Sequence, residues 1–443
     1  MEANASDIEI LETPSEFYAQ LLSGIGRAKK RISLASLYIG SHETELRDAL
    51  HSALAANPDL HAHVLVDGMR GTRSGAKGSS TVALLSPLSL AFQKQTRVAF
   101  FAFPSKNPLR RLVGPRFNEA FGLQHMKAYV LDDDVIISGA NLNSDYFTDR
   151  QDRYILIKNN PAVASYFANL IARVSDYSAT LSHTQSNTLI PHSYSLSDIA
   201  NGLKEFTSTA NASIPLLNVN TLHLAPSAEN EPETTITPLF QAGPLKIYDE
   251  SNAFSAILKN LAVKDSAHVV CSSAYFNLPT RFHDAILQSR ARFLFLLASP
   301  EANGFFGSKG VSRHVPYGYT FLTHQFWKKV MRTGNTHRIQ INEYSRTGWT
   351  YHAKGLWISE TPAAHPHMTM IGSSNYGYRS LNRDLEAQVV IRTRNEDLKR
   401  RMGENLQRLQ GYSQPVDEKT FMAPHRVPTL FARIAARVIK GML

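Results

Sequence analysis

The chain has 443 residues, 43% apolar and 19% charged, a composition that suits a folded globular protein with ample core and excludes disordered, collagenous and coiled-coil chains. The net charge of +10 favours an anionic partner, either nucleic acid or phospholipid. No apolar run approaches the roughly 18 residues that cross a bilayer. The lone cysteine, Cys271, excludes an internal disulfide and fits a reducing compartment.

The first twenty residues hold Glu2, Asp7, Glu9, Glu12 and Glu16 and no Lys or Arg. A secretory or organelle presequence has the opposite character, so a cytosolic chain, or one whose presequence has been removed, is expected. Residues 30–39 (KRISLASLYI) read as a strand, 43–55 as a helix and His61–Asp67 (HAHVLVD) as a second strand. The order recurs at 267–276 (AHVVCSSAYF), 279–289 and Arg292–Ala298 (RFLFLLA), which predicts βαβ units and parallel sheet in both halves.

Further along each half stands His-x-Lys before an apolar run: His125-Met-Lys127-Ala-Tyr-Val-Leu and His352-Ala-Lys354-Gly-Leu-Trp-Ile. On a strand, the i, i+2 spacing places both side chains on one face. A small-residue turn ending in Asn follows in each, Ser138-Gly139-Ala140-Asn141 and Gly372-Ser373-Ser374-Asn375, and eleven residues beyond each Asn stands an acid, Asp152 or Glu386. Four matched features in one order predict a duplicated α/β module. Between the halves, 178–240 is rich in Ser, Thr, Asn and Pro and reads as a linker with local helix near 195–207, or as a partner-binding segment. The expected divisions are 1–177, 178–240, 241–423 and a basic amphipathic helix at 424–443. In that helix Leu430, Phe431, Ile434, Val438, Ile439 and Met442 share a face, suited to an anionic interface or to docking on its own domain.

Two Lys ammonium groups and two Asn amides converging on one point suit a phosphoryl group. One neutral imidazole can attack phosphorus while the other, protonated, donates to the leaving oxygen. Asp152 and Glu386 would hold the remaining ring nitrogens. The lysines supply the positive charge, so no metal or other cofactor is expected; His365-Pro366-His367 reads as a surface loop. Residues 68–118 carry nine Lys/Arg and residues 302–342 six, with no acid in either, which predicts an electropositive mouth. Phe100, Phe101, Phe103, Leu109, Leu112 and Val113 alternate with the first set, as in a loop that touches membrane.

These two motifs resemble the catalytic repeats of the phospholipase D superfamily, whose pattern is His-x-Lys-x4-Asp followed by a Gly/Ser-rich turn with Asn. The resemblance implies two pseudo-symmetric mixed-sheet halves with one active site at their interface. It places Asp132 with His125 and Lys127 in the catalytic set. In the second repeat, beside His352 and Lys354, Ser359 stands at the Asp position and Glu360 one residue later. The segments 299–310 (SPEANGFFGSKG), 351–357 (YHAKGLW) and 372–388 (GSSNYGYRSLNRDLEAQ) further resemble eukaryotic mitochondrial phosphatidylglycerophosphate synthases. That resemblance implies transfer of a phosphatidyl group from CDP-diacylglycerol to sn-glycerol 3-phosphate through a phosphatidyl-histidine, at the mitochondrial inner membrane and without nucleic acid. Asn141, Ser373, Asn375, Asp152 and Glu386 are then expected around the substrate. Arg379 is expected to grip the acceptor's phosphate or, alternatively, to pair with Asp384 or Glu386. A related lipid synthase or hydrolase, a nucleic-acid phosphodiesterase with Tyr317, Tyr319 and Trp349 as stacking platforms, and a non-catalytic binding protein are the competing readings.

Overall fold

In the computed structural model, which describes residues 1–75, 78–104, 122–212, 232–424, 426–428 and 433, the expected strands form two nine-stranded mixed sheets. The first holds β1 (Ile8–Leu11), β2 (Arg31–Ser36), β3 (His61–Asp67), β4 (Thr96–Phe101), β5 (Ala128–Leu131) and β6 (Asp134–Ser138), with β8 (Tyr154–Ile157), β9 (Ala179–Leu181) and β10 (Leu189–Ile190); the short β7 (Arg150–Gln151) stands apart. The second holds β11 (Thr234–Ala242), β12 (Ile247–Tyr248), β13 (His268–Ser273), β14 (Arg292–Ala298), β15 (Ile339–Tyr344), β17 (Gly355–Ser359), β18 (Met368–Gly372), β19 (Leu385–Thr393) and β20 (Ser413–Pro415), with β16 (Thr350–Tyr351) outside it.

The duplication is visible in the strand order. The first sheet runs β1-β8-β6-β5-β2-β3-β4-β9, the second β11-β19-β18-β17-β13-β14-β15-β20, with β10 and β12 added at opposite edges. In each, three parallel strands joined by helical crossovers lie beside an antiparallel meander that carries the site motifs. The expected helices form at Thr44–Ala56 and Thr280–Gln288. Asn160 and Asn395 cap equivalent helices, accepting from the backbone N–H of Val163 and Leu398.

Outer helices cover each sheet on one face. The opposite faces share one apolar core, in which Val135, Ile137 and Ile155 join Ile371, Val389 and Ile391. Two helices fill the same core, Pro161–Asp176 through Phe167 and Ile171, and Glu396–Gln410 through Leu398 and Met402.

Three expectations change. The stretch 178–240 holds β9, β10, helix Leu196–Ala212 and β11, so the second sheet begins inside it. Ser/Thr-rich strands pair through the backbone without an apolar alternation to announce them. Phe100 and Phe101 are core residues of β4 rather than a membrane loop. His367 is buried at the entry to β18, while His365 stays exposed. Leu109, Leu112, Val113 and most of the C-terminal helix at 424–443 lie outside the described residues.

Arg153 ties the halves together. From the start of β8 its Nη1 donates to the Met370 carbonyl at 3.2 Å and its Nη2 to Thr369 Oγ1 at 2.8 Å, with the guanidinium 3.6 Å above the Trp357 ring. Room for it depends on Gly355, where a Cβ would stand 1.9 Å from Arg153 Nη1 and 2.4 Å from the Met370 carbonyl, at a φ of +143°. Gly355→Ala is expected to cost roughly 3–5 kcal/mol, through strained backbone and displacement of a buried cation, and to lower the melting temperature accordingly. Thermal unfolding by circular dichroism measures it.

Candidate active site

His125 and Lys127 stand just ahead of β5, and His352 and Lys354 just ahead of β17, so the motifs occupy the approach to a strand and not the strand itself. The local geometry is the same in both. Lys127 Nζ donates to the His125 carbonyl at 2.8 Å, and Lys354 Nζ to that of His352 at 2.7 Å.

The two halves hold each other's histidines. His125 N–H donates to the Leu385 carbonyl, and His352 N–H to the Gln151 carbonyl; each acceptor immediately precedes a site acid. The side chains cross in the same way. His125 Nδ1 lies 2.9 Å from Glu386 Oε2, and His352 Nδ1 lies 2.6 Å from Asp152 Oδ2. With Nδ1–H given to a carboxylate, Nε2 is left with its lone pair directed away from that carboxylate. Ser373 Oγ donates to Glu386, and the Arg153 N–H donates to Asp152, so each acid is itself held.

The rings differ in access. The His125 side chain is 15% exposed and that of His352 6%. Lys354 Nζ lies 2.8 Å from Nδ1 and 3.2 Å from Nε2 of His352, a position over the ring rather than at one lone pair. Tyr146 and Tyr275 meet His352 edge-on, with centroids at 5.1 and 5.9 Å, and the Tyr146 hydroxyl is 3.4 Å from Nε2.

Asn141 and Asn375 follow the ends of β6 and β18 at matching positions of the two repeats. Their Oδ1 atoms are buried without a hydrogen-bond partner, a matched pair of unsatisfied groups. Turned about, either amide presents its NH2 to a phosphoryl oxygen. Burial dominates the electrostatics. Desolvation holds both imidazoles well below the usual range, and pushes Asp152 up to about 6 and Glu386 up to about 7. It lowers Lys127 to about 7 and Lys354 to about 8. The cluster is a buried set of donors with little settled charge, an environment that suits an anion.

Asp132 and Glu360 do not join it. Asp132 is at the far end of β5, about 16 Å of strand from Lys127. There, at φ +53°, its carboxylate accepts the N–H groups of Lys29, Lys30 and Arg31 at 2.7–2.9 Å. It anchors the turn into β2. Glu360 is exposed in the turn after β17. A spacing of five or six residues from Lys along an extended segment carries an acid away from the chemistry. Arg379 takes the bracing alternative: Nε donates to Asp384 Oδ2 at 2.8 Å, and Asp384 also accepts the Leu123 N–H of the other half. His125, Asp384 and Glu386 offer ligand atoms within 4.8 Å of one another, but both carboxylates are already engaged by cations and donors.

Of the expected basic mouth, Arg70 and Arg73 line a hollow of about 390 Å³ with Tyr38 and Asn143. A second, also about 390 Å³, lies among Asn303, Gly304, Arg346, Trp349 and Thr350. Lys106, Arg110, Arg111 and Arg116 lie outside the described residues. Arg150, Arg153, Tyr146, Tyr275 and Asp384 carry no motif signature, although Arg150 and Asp384 sit at equal distances from their asparagines.

No family model matches the chain. Among solved structures, phosphatidylserine synthase from Haemophilus influenzae Rd KW20 superposes with a TM-score of 0.74 at 21% identity, over 100% of this chain and 97% of that one. The fold is that of a duplicated phospholipase D-like module, two pseudo-symmetric mixed-sheet halves. Full-length relatives narrow the class. The mitochondrial CDP-diacylglycerol–glycerol-3-phosphate 3-phosphatidyltransferase of Gallus gallus is 38% identical over 99% of this chain and 84% of its own length. The corresponding enzyme of Saccharomyces pastorianus is 35% identical over 98% and 88%. The chain belongs to the CDP-diacylglycerol–glycerol-3-phosphate 3-phosphatidyltransferase family.

Two outcomes follow from the site. An anion beside these groups favours charged lysine, charged imidazole and neutral carboxyl, so every pKa rises and protons are taken up. Sulfate, which does not itself titrate near neutrality, should bind at about pH 7.5 with net uptake of about one proton or more, read by calorimetry in buffers of different ionisation enthalpy; proton release would contradict the depressed lysines. Arg379→Ala should leave Asp384 buried beside His125 and cost about 2–4 kcal/mol in thermal unfolding.

Proposed function

We propose that the protein transfers the phosphatidyl group of CDP-diacylglycerol to sn-glycerol 3-phosphate, releasing CMP and forming phosphatidylglycerophosphate. The observation that carries this reading is the crosswise pairing of two His-Lys-Asn sets around one centre, in a chain aligned along nearly its whole length with enzymes of that name. Nε2 of His125, the more accessible ring, attacks the phosphatidyl phosphorus; a P–N bond forms and the P–O bond to CMP breaks. The new positive charge on the ring is met by Glu386 through Nδ1–H. Lys127, Lys354, Asn141 and Asn375 hold the phosphoryl oxygens, whose charge builds in the transition state. His352, made imidazolium by the incoming diphosphate, gives its Nε2 proton to the departing CMP. It then accepts the proton of the glycerol 3-phosphate hydroxyl as that oxygen attacks phosphorus and the P–N bond breaks, returning His125 to its neutral form. Asp152 keeps the tautomer of His352 through both steps.

The lysines and amides do the work that a metal performs elsewhere. We assign the enzyme to the mitochondrion by likeness to relatives named as mitochondrial, and place it peripheral on the inner membrane as part of this proposal. No helix among the described residues is long and apolar enough to cross a membrane. Phe305 and Phe306 stand exposed beside Tyr275, an apolar rim suited to a lipid substrate. A nucleic-acid substrate is not favoured, because the Trp349 ring is already covered by Arg346 at 3.6 Å.

Incubation with CDP-diacylglycerol tests the reading. CMP release should depend on glycerol 3-phosphate and survive EDTA with at most a modest loss; full inactivation by EDTA, restored by stoichiometric metal, would contradict the metal-free account. His125→Ala and His352→Ala should each lower turnover by about a thousandfold or more, the loss expected when a nucleophile or its acid–base partner is removed.

A further inference from the structure

Counted from the two site asparagines, Asp145 and Arg379 both stand four residues on, and Arg150 and Asp384 both nine. Each couple forms an ion pair, Arg150 Nη2 to Asp145 at 3.2 Å and Arg379 Nε to Asp384 at 2.8 Å. The two halves thus use one device with its charges exchanged.

The exchange makes the site electrically lopsided. In the second half the acid is the inner partner: the Asp384 side chain is 3% exposed, and it neutralises Arg379 in a medium where charges are poorly screened. In the first half the acid is the outer partner. Asp145 is 55% exposed and hydrated, whereas Arg150 is 16% exposed. Water screens Asp145, and a surface pair of this kind contributes little, so the field of Arg150 persists inside. Arg150 accordingly depresses His352, behind burial and Lys354, while at His125 the effect of Arg379 is opposed by Asp384.

Arg150 is also held in a fixed orientation, with part of its side chain exposed. Its Nε donates to Thr350 Oγ1 at 3.0 Å, and its guanidinium carbon lies 4.6 Å from the Tyr146 ring centroid, the same ring that meets His352. Thr350, Asp145 and the Tyr146 hydroxyl engage three of its five N–H groups. Gly304 closes over it without a side chain: a Cβ there would come 3.4 Å from the Tyr275 hydroxyl and 3.5 Å from Arg150 Nη2. Gly304 and Thr350, both against Arg150, also line the hollow that runs to Arg346 and Trp349.

We propose that Arg150 anchors a phosphate monoester at the His352 end of the site, the group shared by CMP as it leaves and glycerol 3-phosphate as it arrives. This rests on the phosphatidyl-transfer reading and names a group that serves it. Leaving group and acceptor both meet phosphorus on the side opposite His125, so both pass this end, and a planar fork suits a phosphate better than a lysine does.

The test uses the full chain. Binding of CMP and of glycerol 3-phosphate is measured by calorimetry for the wild type, Arg150→Gln, Arg150→Lys, Asp145→Asn and Arg379→Gln, each with its melting temperature. Arg150→Gln should weaken one or both ligands at least tenfold. Loss of CMP alone assigns the subsite to the leaving group, loss of glycerol 3-phosphate alone to the acceptor, and loss of both to a shared subsite. Arg150→Lys, which keeps the charge and is the variant to rely on if the Gln protein does not fold, should also lose about tenfold. Asp145→Asn should bind two- to threefold more tightly, because a competing anion is gone; a merely structural ion pair predicts the reverse. Changes below threefold in both Arg150 variants, weaker binding in Asp145→Asn, or a selective loss in Arg379→Gln instead would overturn the proposal. Failure of the wild type to release CMP in response to glycerol 3-phosphate would remove the transfer reading while leaving these binding results to decide Arg150 by themselves.

Discussion

Each of the two site histidines is held by a carboxylate that belongs to the other half. His125 leans on Glu386 and His352 on Asp152, and the backbone repeats the exchange through Leu385 and Gln151. Neither half alone orients its own site imidazole. The shared apolar core, the buried Arg153 brace and the pairing of β7 with β16 all keep this crossing in register. Buried ionisable groups are expensive unless each has its partner, so removal of one member leaves its counterpart uncompensated. The construction makes catalysis depend on the assembled pair of halves.

Duplication supplies a nearly symmetric frame, but the reaction is not symmetric, and the departures from symmetry are where the roles separate. Ser373 donates to Glu386, whereas Gly139 holds the equivalent place, where a Cβ would press within 2.7 Å of Asp152 and 3.0 Å of the Lys354 stem. His125 stays open at Nε2 while His352 lies beneath Tyr146, Tyr275 and Lys354. The first arrangement suits a nucleophile, which must reach phosphorus. The second suits a proton carrier, whose affinity for the proton must answer to arriving and departing anions.

Much of this was legible in the chain. The repeated His-x-Lys, the turn with Asn and the acid eleven residues on survive because both copies must meet the same backbone geometry, and local spacing reports that geometry directly. What spacing cannot report is which copy serves which, so the crossing of Asp152 and Glu386 emerged only from the assembled sheets. Asp132 illustrates the opposite limit. Its place in a motif suggested chemistry, yet a strand carries residue i+5 far from residue i, and its carboxylate caps three backbone N–H groups instead. Phe100 and Phe101 looked like a membrane loop because bases flank them, although two-sided burial in a parallel sheet also produces a continuous apolar run. The reversed pairs Asp145–Arg150 and Arg379–Asp384 were present in the spacing as well, but a charge exchange hides from any search for like residues at like positions.

The central claim is that both imidazoles are neutral in the free protein, each with its proton on Nδ1 and directed at the other half's acid. Nitrogen NMR of histidine-labelled protein near neutral pH reads this directly. Among the resonances of the 17 histidines, the pairs lost in His125→Ala and in His352→Ala should show the less common tautomer, with Nδ1 protonated and Nε2 bare; Glu386→Gln should perturb the His125 pair and Asp152→Asn the His352 pair. An Nε2-protonated or imidazolium form of His125 or His352 at neutral pH, or a Glu386→Gln effect confined to His352, would contradict the account.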